Sequence, residues 1–451
     1  MMLEIARKAM KFAQGQGAKE VEAFVVKSSV TTVRMASGRV IEVKRVREQG
    51  IGLRAAIGRK VGFAYANEPT HELVKQVVSI ARARPPDPNF PGFAPPVRPK
   101  RVEDIYDKAL ATLPYERATS MAELMLESAL GYDRRIVEAS GALTVVAERC
   151  AIANTNGLAA VDRTTRILGH LTAEARDLRR SEGTAWLGAT KLKAIKIEEV
   201  GERAAELAVN SLKPLKIPAG SYDIILEPPA AAELFYHMLG YAFNGQEVHD
   251  RISYLSDRLG EVIAAEELSI SDWGNMPGGL CSRAVDDEGV PAQRTPLIER
   301  GRLVGFVYDL YYAAKAGSRS TGNGLRVSDL PARCHAVEPS PHVTNLFVSS
   351  GDFKREELVA DTKRGLLLSR IWYTYPMVPQ LGDFSTTSRC GFLVRDGEIA
   401  GAIEQVRIHE NMLRLLKNIS GIADDREQVM PWGASTSVCS PSVRFSDVRV
   451  R

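Results

Sequence analysis

The side chains able to do chemistry are few enough to weigh singly, because 451 residues hold 7 His and 5 Cys. His237 sits in Phe235-Tyr236-His237-Met238-Leu239, and a lone imidazole in so apolar a run reads as a hydrogen-bonded packing residue. His249 stands among Glu247, Val248 and Asp250, but no further His or Cys lies at close ligand spacing, so a solvated loop is expected. Cys334-His335 is an adjacent soft-ligand pair in a proline-broken run, read as chance adjacency. His409-Glu410 reads as a strand end entering a helix, with the carboxylate favouring the positive helix N-terminus. Asp286-Asp287-Glu288-Gly289 gathers three carboxylates without the oxygen spacing of a calcium loop, so a tight turn leading into a strand is expected. Ser320-Thr321-Gly322-Asn323-Gly324 offers small residues whose backbone N–H groups could cradle a peptide carboxylate or carbonyl; without a closing Gly-Lys-Ser/Thr it is no P-loop. There is no G-x-S-x-G elbow, and Cys390 has no His nearby in sequence.

These residues need elements to hold them. The chain opens as a helix to about Gln14, followed by β-rich runs with breaks at Ser37-Gly38, Gln49-Gly50 and Gly58-Arg59 that suit hairpins. A helix from an N-cap at Thr70 to about Ala83 follows. Residues 84–100 are proline-dense, which predicts an extended surface connection. The same order then returns: a helix near Tyr115–Leu130, strand-like runs over 135–190 with a turn at Asn156-Gly157, and a helix over 198–212. A distant duplication of an α-β(n)-α unit is expected, although the residues do not repeat. Pro214 and Pro218 mark a boundary, giving an N-terminal α+β domain over 1–215 and a strand-rich domain over 216–451. The second contains helices near 230–243 and 354–364 and many short strands with glycine turns. That pattern predicts a curved antiparallel sheet or partial barrel, and the fold class is α+β.

Composition excludes several classes. A formal net charge of +4 over the whole chain makes no strong anion-attracting field, so nucleic-acid binding is not expected. No run approaches the roughly 18 to 20 apolar residues of a membrane span, so no membrane partner is expected. The five cysteines form no C-x-x-C pair, which argues against a disulfide framework or a thiolate zinc site and fits a cytoplasmic location.

From about Tyr222 to Glu410 a series of motifs runs in order: YDIILEP, AAAELFYHMLGYAF, VDDEGVPAQRTPLIERGRLVGFVYD, STGNG and STTSRCGFLVRDGEI, with SVRFSDVRV closing the chain. This succession resembles the TldD/PmbA family, once labelled modulators of DNA gyrase, and more closely its PmbA (TldE) branch. The resemblance implies a heteromeric zinc metallopeptidase acting on unfolded peptides. The metal belongs to the TldD subunit, held by an H-E-x-x-x-H helix and a cysteine near the chain end.

In the place of that motif stand Tyr236, His237 and Tyr241. Zinc needs several imidazole, thiolate or carboxylate donors, and a protonated phenol substitutes poorly for two of them. Two side chains five apart also differ by about 140° around an ideal helix, so a bend or terminal turn is required, with Gly240 placed to tolerate it. The family's cysteine aligns near 430–434, so Cys439 does not replace it. The resemblance therefore implies a chain with no cofactor and no catalytic or metal-binding residue of its own, inactive alone, beside a TldD-like partner that carries zinc. Candidate contacts to an unfolded peptide are Thr321, Gly322, Asn323 and Gly324 with Ser385, Thr386 and Thr387. The alternative is a stand-alone homodimeric peptide-binding or regulatory protein without catalysis.

Overall fold

The computed structural model describes residues 1–328 and 331–451, so Asp329 and Leu330, which precede Cys334-His335, lie outside the described residues. The first half lays down α1 (Met2–Gly15), β1 (Glu20–Ala36), β2 (Arg39–Ile57), β3 (Lys60–Ala66) and α2 (His71–Ala83). It continues with α3 (Lys108–Ala111), α4 (Tyr115–Leu130), β4 (Ile136–Asn154), β5 (Ala159–Arg176), β6 (Arg180–Ala189) and α5 (Ile197–Asn210). Thr70 caps α2 by accepting from Leu73 N at 3.1 Å, the local device its sequence announces.

All six strands share one sheet in the order β3-β2-β1-β4-β5-β6, with every pairing antiparallel. Each α-βββ-α unit supplies three strands, and β1 and β4 pair where the units meet. A shared device accompanies this order. A Cβ on Gly62 of β3 would lie 2.3 Å from the Val77 carbonyl of α2, and one on Gly183 of β6 would lie 2.3 Å from the Ala204 carbonyl of α5. In both units a glycine on the outer strand lets the last helix rest its backbone on the sheet.

Alternation sorts the two sheet faces. Val21, Ala23 and Val25 of β1 pack with α1 and α2, while Phe24 and Val26 face Val285 of the second half. Both faces are covered here, and five of the six residues from Val21 to Val26 are apolar. The expected hairpin at Gln49-Gly50 does not form: β2 runs straight through it, with Gly50 opposite Val26 and Gly52 opposite Phe24. These glycines answer to close approach instead, since a Cβ would lie 2.2 Å from His335 Nε2 at Gly50 and 2.5 Å from the His335 carbonyl at Gly52. The connection over 84–100 is mostly exposed, yet it is tied down where Asn154 and Asn156 donate to the Ala94 and Phe93 carbonyls at 2.8 and 2.9 Å.

The second half begins with β7 (Gly220–Leu226), α6 (Pro228–Leu239) and α7 (Gly245–His249). Short strands and a helix follow: β8 (Ile270–Trp273), β9 (Arg294–Glu299), β10 (Arg302–Leu303), α8 (Leu310–Lys315), β11 (Gly324–Leu325), β12 (Ser340–Pro341) and β13 (Asn345–Val348). Then come α9 (Arg355–Ala360), β14 (Arg364–Val378), β15 (Asp383–Arg395), β16 (Glu398–Ala402), β17 (Arg407–Asn411) and α10 (Met412–Lys417). The chain ends with β18 (Ile419–Ile422), β19 (Glu427–Val429), β20 (Ser437–Ser440) and β21 (Val443–Val450).

Strands β14, β7, β21, β17 and β15 pair in that order, and β15 pairs back to β14, closing a five-stranded barrel. A second sheet runs β10-β9-β8-β13-β20-β19. Helix α6 packs between β14 of the barrel and β19–β20 of this sheet. Phe235, Met238 and Leu239 are fully buried in one core with Leu366, Leu368, Phe384 and Phe445, and each contributes about 1.5–3 kcal/mol by leaving water. No helix among the described residues is long and apolar enough to cross a membrane.

Candidate functional site

Helix α6 opens with Pro228 and is apolar on nearly every face, as a helix buried on two sides must be. Its regular turns stop at Leu239, short of the expected end near Phe243. Gly240 N donates to the Tyr236 carbonyl at 3.1 Å, and the next turn tightens as Asn244 N donates to the Tyr241 carbonyl at 3.0 Å. A Cβ on Gly240 would lie 2.6 Å from the Tyr236 carbonyl. Tyr236 thus belongs to the helix and Tyr241 to the turn after it.

The two rings fix to different walls. Tyr236 lines a cleft of about 550 Å³ between Leu168, His170 and Trp186 of the first sheet and residues 430–435. Burial raises its phenol pKa, opposed by hydrogen bonding from Ser435. Tyr241 donates to the Pro379 carbonyl at 3.2 Å and sets its ring against Tyr254. Burial, helped by the Glu247 charge, pushes this phenol far above its ordinary value. Both phenols stay protonated at neutral pH, so these residues do not fit a zinc ion. His237 lies between: Nε2 is 3.2 Å from Glu233 Oε1 one turn back, and its ring meets Tyr236 and Tyr375.

Two nearby groups gave no signal in sequence. Cys281 packs with Met430 and Ala434 against Tyr236, donates to the Ser435 carbonyl at 3.4 Å, and has its thiol pKa raised by burial. His170 faces the cleft with its pKa lowered to about 4 by burial and by Arg370, so it is neutral at pH 7 and would have to be read from a lone His in a strand. Cys439 packs elsewhere, with Met276, Trp273 and Phe347.

Most of the remaining expected contacts are engaged within the fold, although Ser385 Oγ is buried without a hydrogen-bond partner. Asn323 is buried and donates to Asp272 Oδ2 at 2.7 Å and to the His342 carbonyl at 2.8 Å. Gly322 N donates to Ser320 Oγ, Gly324 N to Asp286 Oδ2, and Thr321 Oγ1 to Asn323 Oδ1. The loop over 320–324 therefore spends these donors within the fold. Ser385, Thr386 and Thr387 lie on β15, which pairs with β14 on one side and β17 on the other, so they present no open edge.

Asp286-Asp287-Glu288-Gly289 does turn, with Asp286 Oδ1 accepting from Glu288 N and Val290 N. It is also the centre of a buried ionic network that the turn reading did not contain. Arg54 Nη2 bridges Glu22 at 2.8 Å and Glu288 at 3.0 Å, Arg326 Nη2 reaches Glu22 at 3.2 Å, and Arg333 lies between Asp162 at 2.7 Å and Asp287 at 3.6 Å. Arg54, Glu22 and Asp162 come from the first sheet, so the motif locks the two halves together. Burial and the Glu288 charge push the carboxyl of neighbouring Asp309 up to about 7.

The end of this helix, broken at Gly240, thus faces a cleft between the six-stranded sheet and residues 430–435. The chain belongs to the PmbA/TldD metallopeptidase family: the PmbA/TldA metallopeptidase domain 1 model matches residues 21–83, the central domain model 108–212 and the C-terminal domain model 219–451. Among individual proteins it is 27% identical to a metalloprotease of Methanothermobacter thermautotrophicus over 88% of this chain and 86% of that one. It is 24% identical to a metalloprotease TldD homolog of Haemophilus influenzae, over 84% of this chain and 80% of that one. The structure superposes on TldE from Thermococcus kodakarensis with a TM-score of 0.89 at 22% identity, covering 100% of this chain and 99% of that one. A Thermotoga maritima protein labelled a DNA gyrase modulator gives 0.89 at 24% identity over the full length of both.

Proposed function

We propose that this chain is the TldE-like subunit of a TldD/TldE-type metallopeptidase, without a metal on its motif helix, pairing with a TldD-like chain that carries the metal and the hydrolytic chemistry. The carrying observation is that Tyr236 and Tyr241 stand at both family ligand positions, their protonated rings anchored to separate walls, while Tyr236 lines an open cleft. The subunit's part is to shape the chamber for an unfolded peptide. Thr184 to Leu187 of β6 line its hollows, and β6 ends the first sheet; an outer strand can hold an extended peptide by backbone hydrogen bonds with little regard to sequence.

A second observation supports a partner. The β14–β15 hairpin tip exposes Tyr373, Tyr375, Met377 and Leu381, with Tyr375 57% exposed beside His237, and Trp432 is 61% exposed against Trp372. Neighbouring exposed apolar side chains of this kind mark an interaction surface. The test is gel filtration and peptide cleavage with a TldD-like chain. A stable complex that cleaves faster than the partner alone is expected; no complex and no gain would sink the reading, and self-association with peptide binding in the partner's absence would favour the stand-alone alternative.

A further inference from the structure

Cys334 and His335 lie against β2, where they meet Glu48. His335 Nδ1 lies 3.2 Å from Glu48 Oε1, Cys334 Sγ lies 3.9 Å from the same oxygen, and the three donor atoms are all within 4.8 Å of one another. Tetrahedral zinc, with bonds of about 2.0–2.1 Å to nitrogen and oxygen and about 2.3 Å to sulfur, places its donors about 3.3–3.8 Å apart. The two spacings to Glu48 Oε1 fall within about 0.1 Å of that range, so small side-chain shifts would bring the three donors onto one ion.

Three independent features point the same way. His335 is 3% exposed, and its Nδ1 makes no well-formed hydrogen bond although Glu48 Oε1 lies 3.2 Å away; a buried imidazole nitrogen left so costs free energy unless something else binds it. The ring cannot turn away: it lies on Gly50, where a Cβ would come within 2.2 Å of Nε2, and Tyr65 packs edge-on to it at 5.9 Å. Cys334, 7% exposed, accepts a hydrogen bond from Ala336 N at 3.3 Å, which holds its sulfur in place.

We propose that Glu48, Cys334 and His335 form a three-donor site for a zinc-class divalent cation, separate from the motif helix and leaving one coordination position open. The cation replaces the thiol proton, which passes to solvent; ionised Glu48, the thiolate and a neutral imidazole then balance its two positive charges. Glu48, a partly exposed side chain, supplies the way in. The site would pin the loop of the second half to β2 of the first.

The test is a cobalt(II) titration of the chelator-treated full-length chain. One equivalent should bind with a near-ultraviolet thiolate-to-metal absorption band and a rise in Tm. C334S should lose the band, and E48Q, which keeps the side-chain volume, should weaken binding at least tenfold, since even outer-shell partners of a ligand are worth about 10–100-fold. Far-UV circular dichroism of each metal-free variant establishes that it is folded. The proposal is overturned if the wild-type chain binds no cobalt, if C334S and E48Q bind it undiminished, or if Tyr236→Phe with Tyr241→Phe abolishes the signal.

Discussion

At the residue scale the deciding quantity is the donor atom. A phenol raised above its ordinary pKa by burial offers zinc a protonated oxygen, and the two phenols are held by different neighbours, Ser435 and Pro379. His237 is the one imidazole on α6, and it is paired with Glu233 on its own helix. Loss of a general acid or base costs about 10²–10⁴ in rate. His237→Ala should therefore leave kcat of the two-chain enzyme within about twofold, measured by steady-state peptide cleavage; a hundredfold loss would make it catalytic.

At the element scale the two glycines under α2 and α5 are the clearest mark of the repeated unit. Gly62→Ala and Gly183→Ala each force a methyl group against helix backbone, at about 1–3 kcal/mol for overpacking. The strands stand at opposite ends of a six-stranded sheet, about 24 Å apart at about 4.8 Å per strand, so their effects should add. Urea unfolding of the single and double variants measures this. Such a glycine was legible as a β-run with a gap, whereas its purpose was not, because the helix it receives lies further along the chain. The same holds for Gly50: a glycine suits a hairpin, and only the arrival of His335 shows why it lies in mid-strand. The local signals were sound where the cause was local, as in the Thr70 cap.

At the scale of the molecule the two halves are joined by buried charge and closed by a barrel. The carboxyl of Asp309, ordinarily near 3.8, titrates at about 7 in the fold. Between about pH 4 and 7 the folded chain keeps a proton that the unfolded chain has released, so this group's contribution to stability falls as pH rises through that window. Asp309 also caps α8 by accepting from Tyr312 N, a role Asn can keep. Asp309→Asn should flatten the decline of Tm between pH 4 and 7, read by scanning calorimetry; an unchanged slope would remove Asp309 as its source. At the outer surface Trp432→Ala should weaken association with the TldD-like partner by at least about tenfold, as loss of an aromatic anchor does, without lowering the Tm of the isolated chain by more than a few degrees. Sedimentation or calorimetric titration of the pair measures the first.

What the sequence by itself determined was whatever depends on neighbours along the chain: the helices at 71–83 and 115–130, the turn at Gly289, the order of family motifs, and the identity of the atoms at 236 and 241. Periodicity, capping and donor chemistry are local properties, and they survive into the fold unchanged. Tertiary structure alone decided which distant groups meet: Arg54 with Glu288, β21 with β7 in the barrel, Tyr236 with Ser435, and Glu48 with Cys334 and His335. These pairings follow from the packing of two sheets and a barrel around shared cores, and no window of sequence contains both partners.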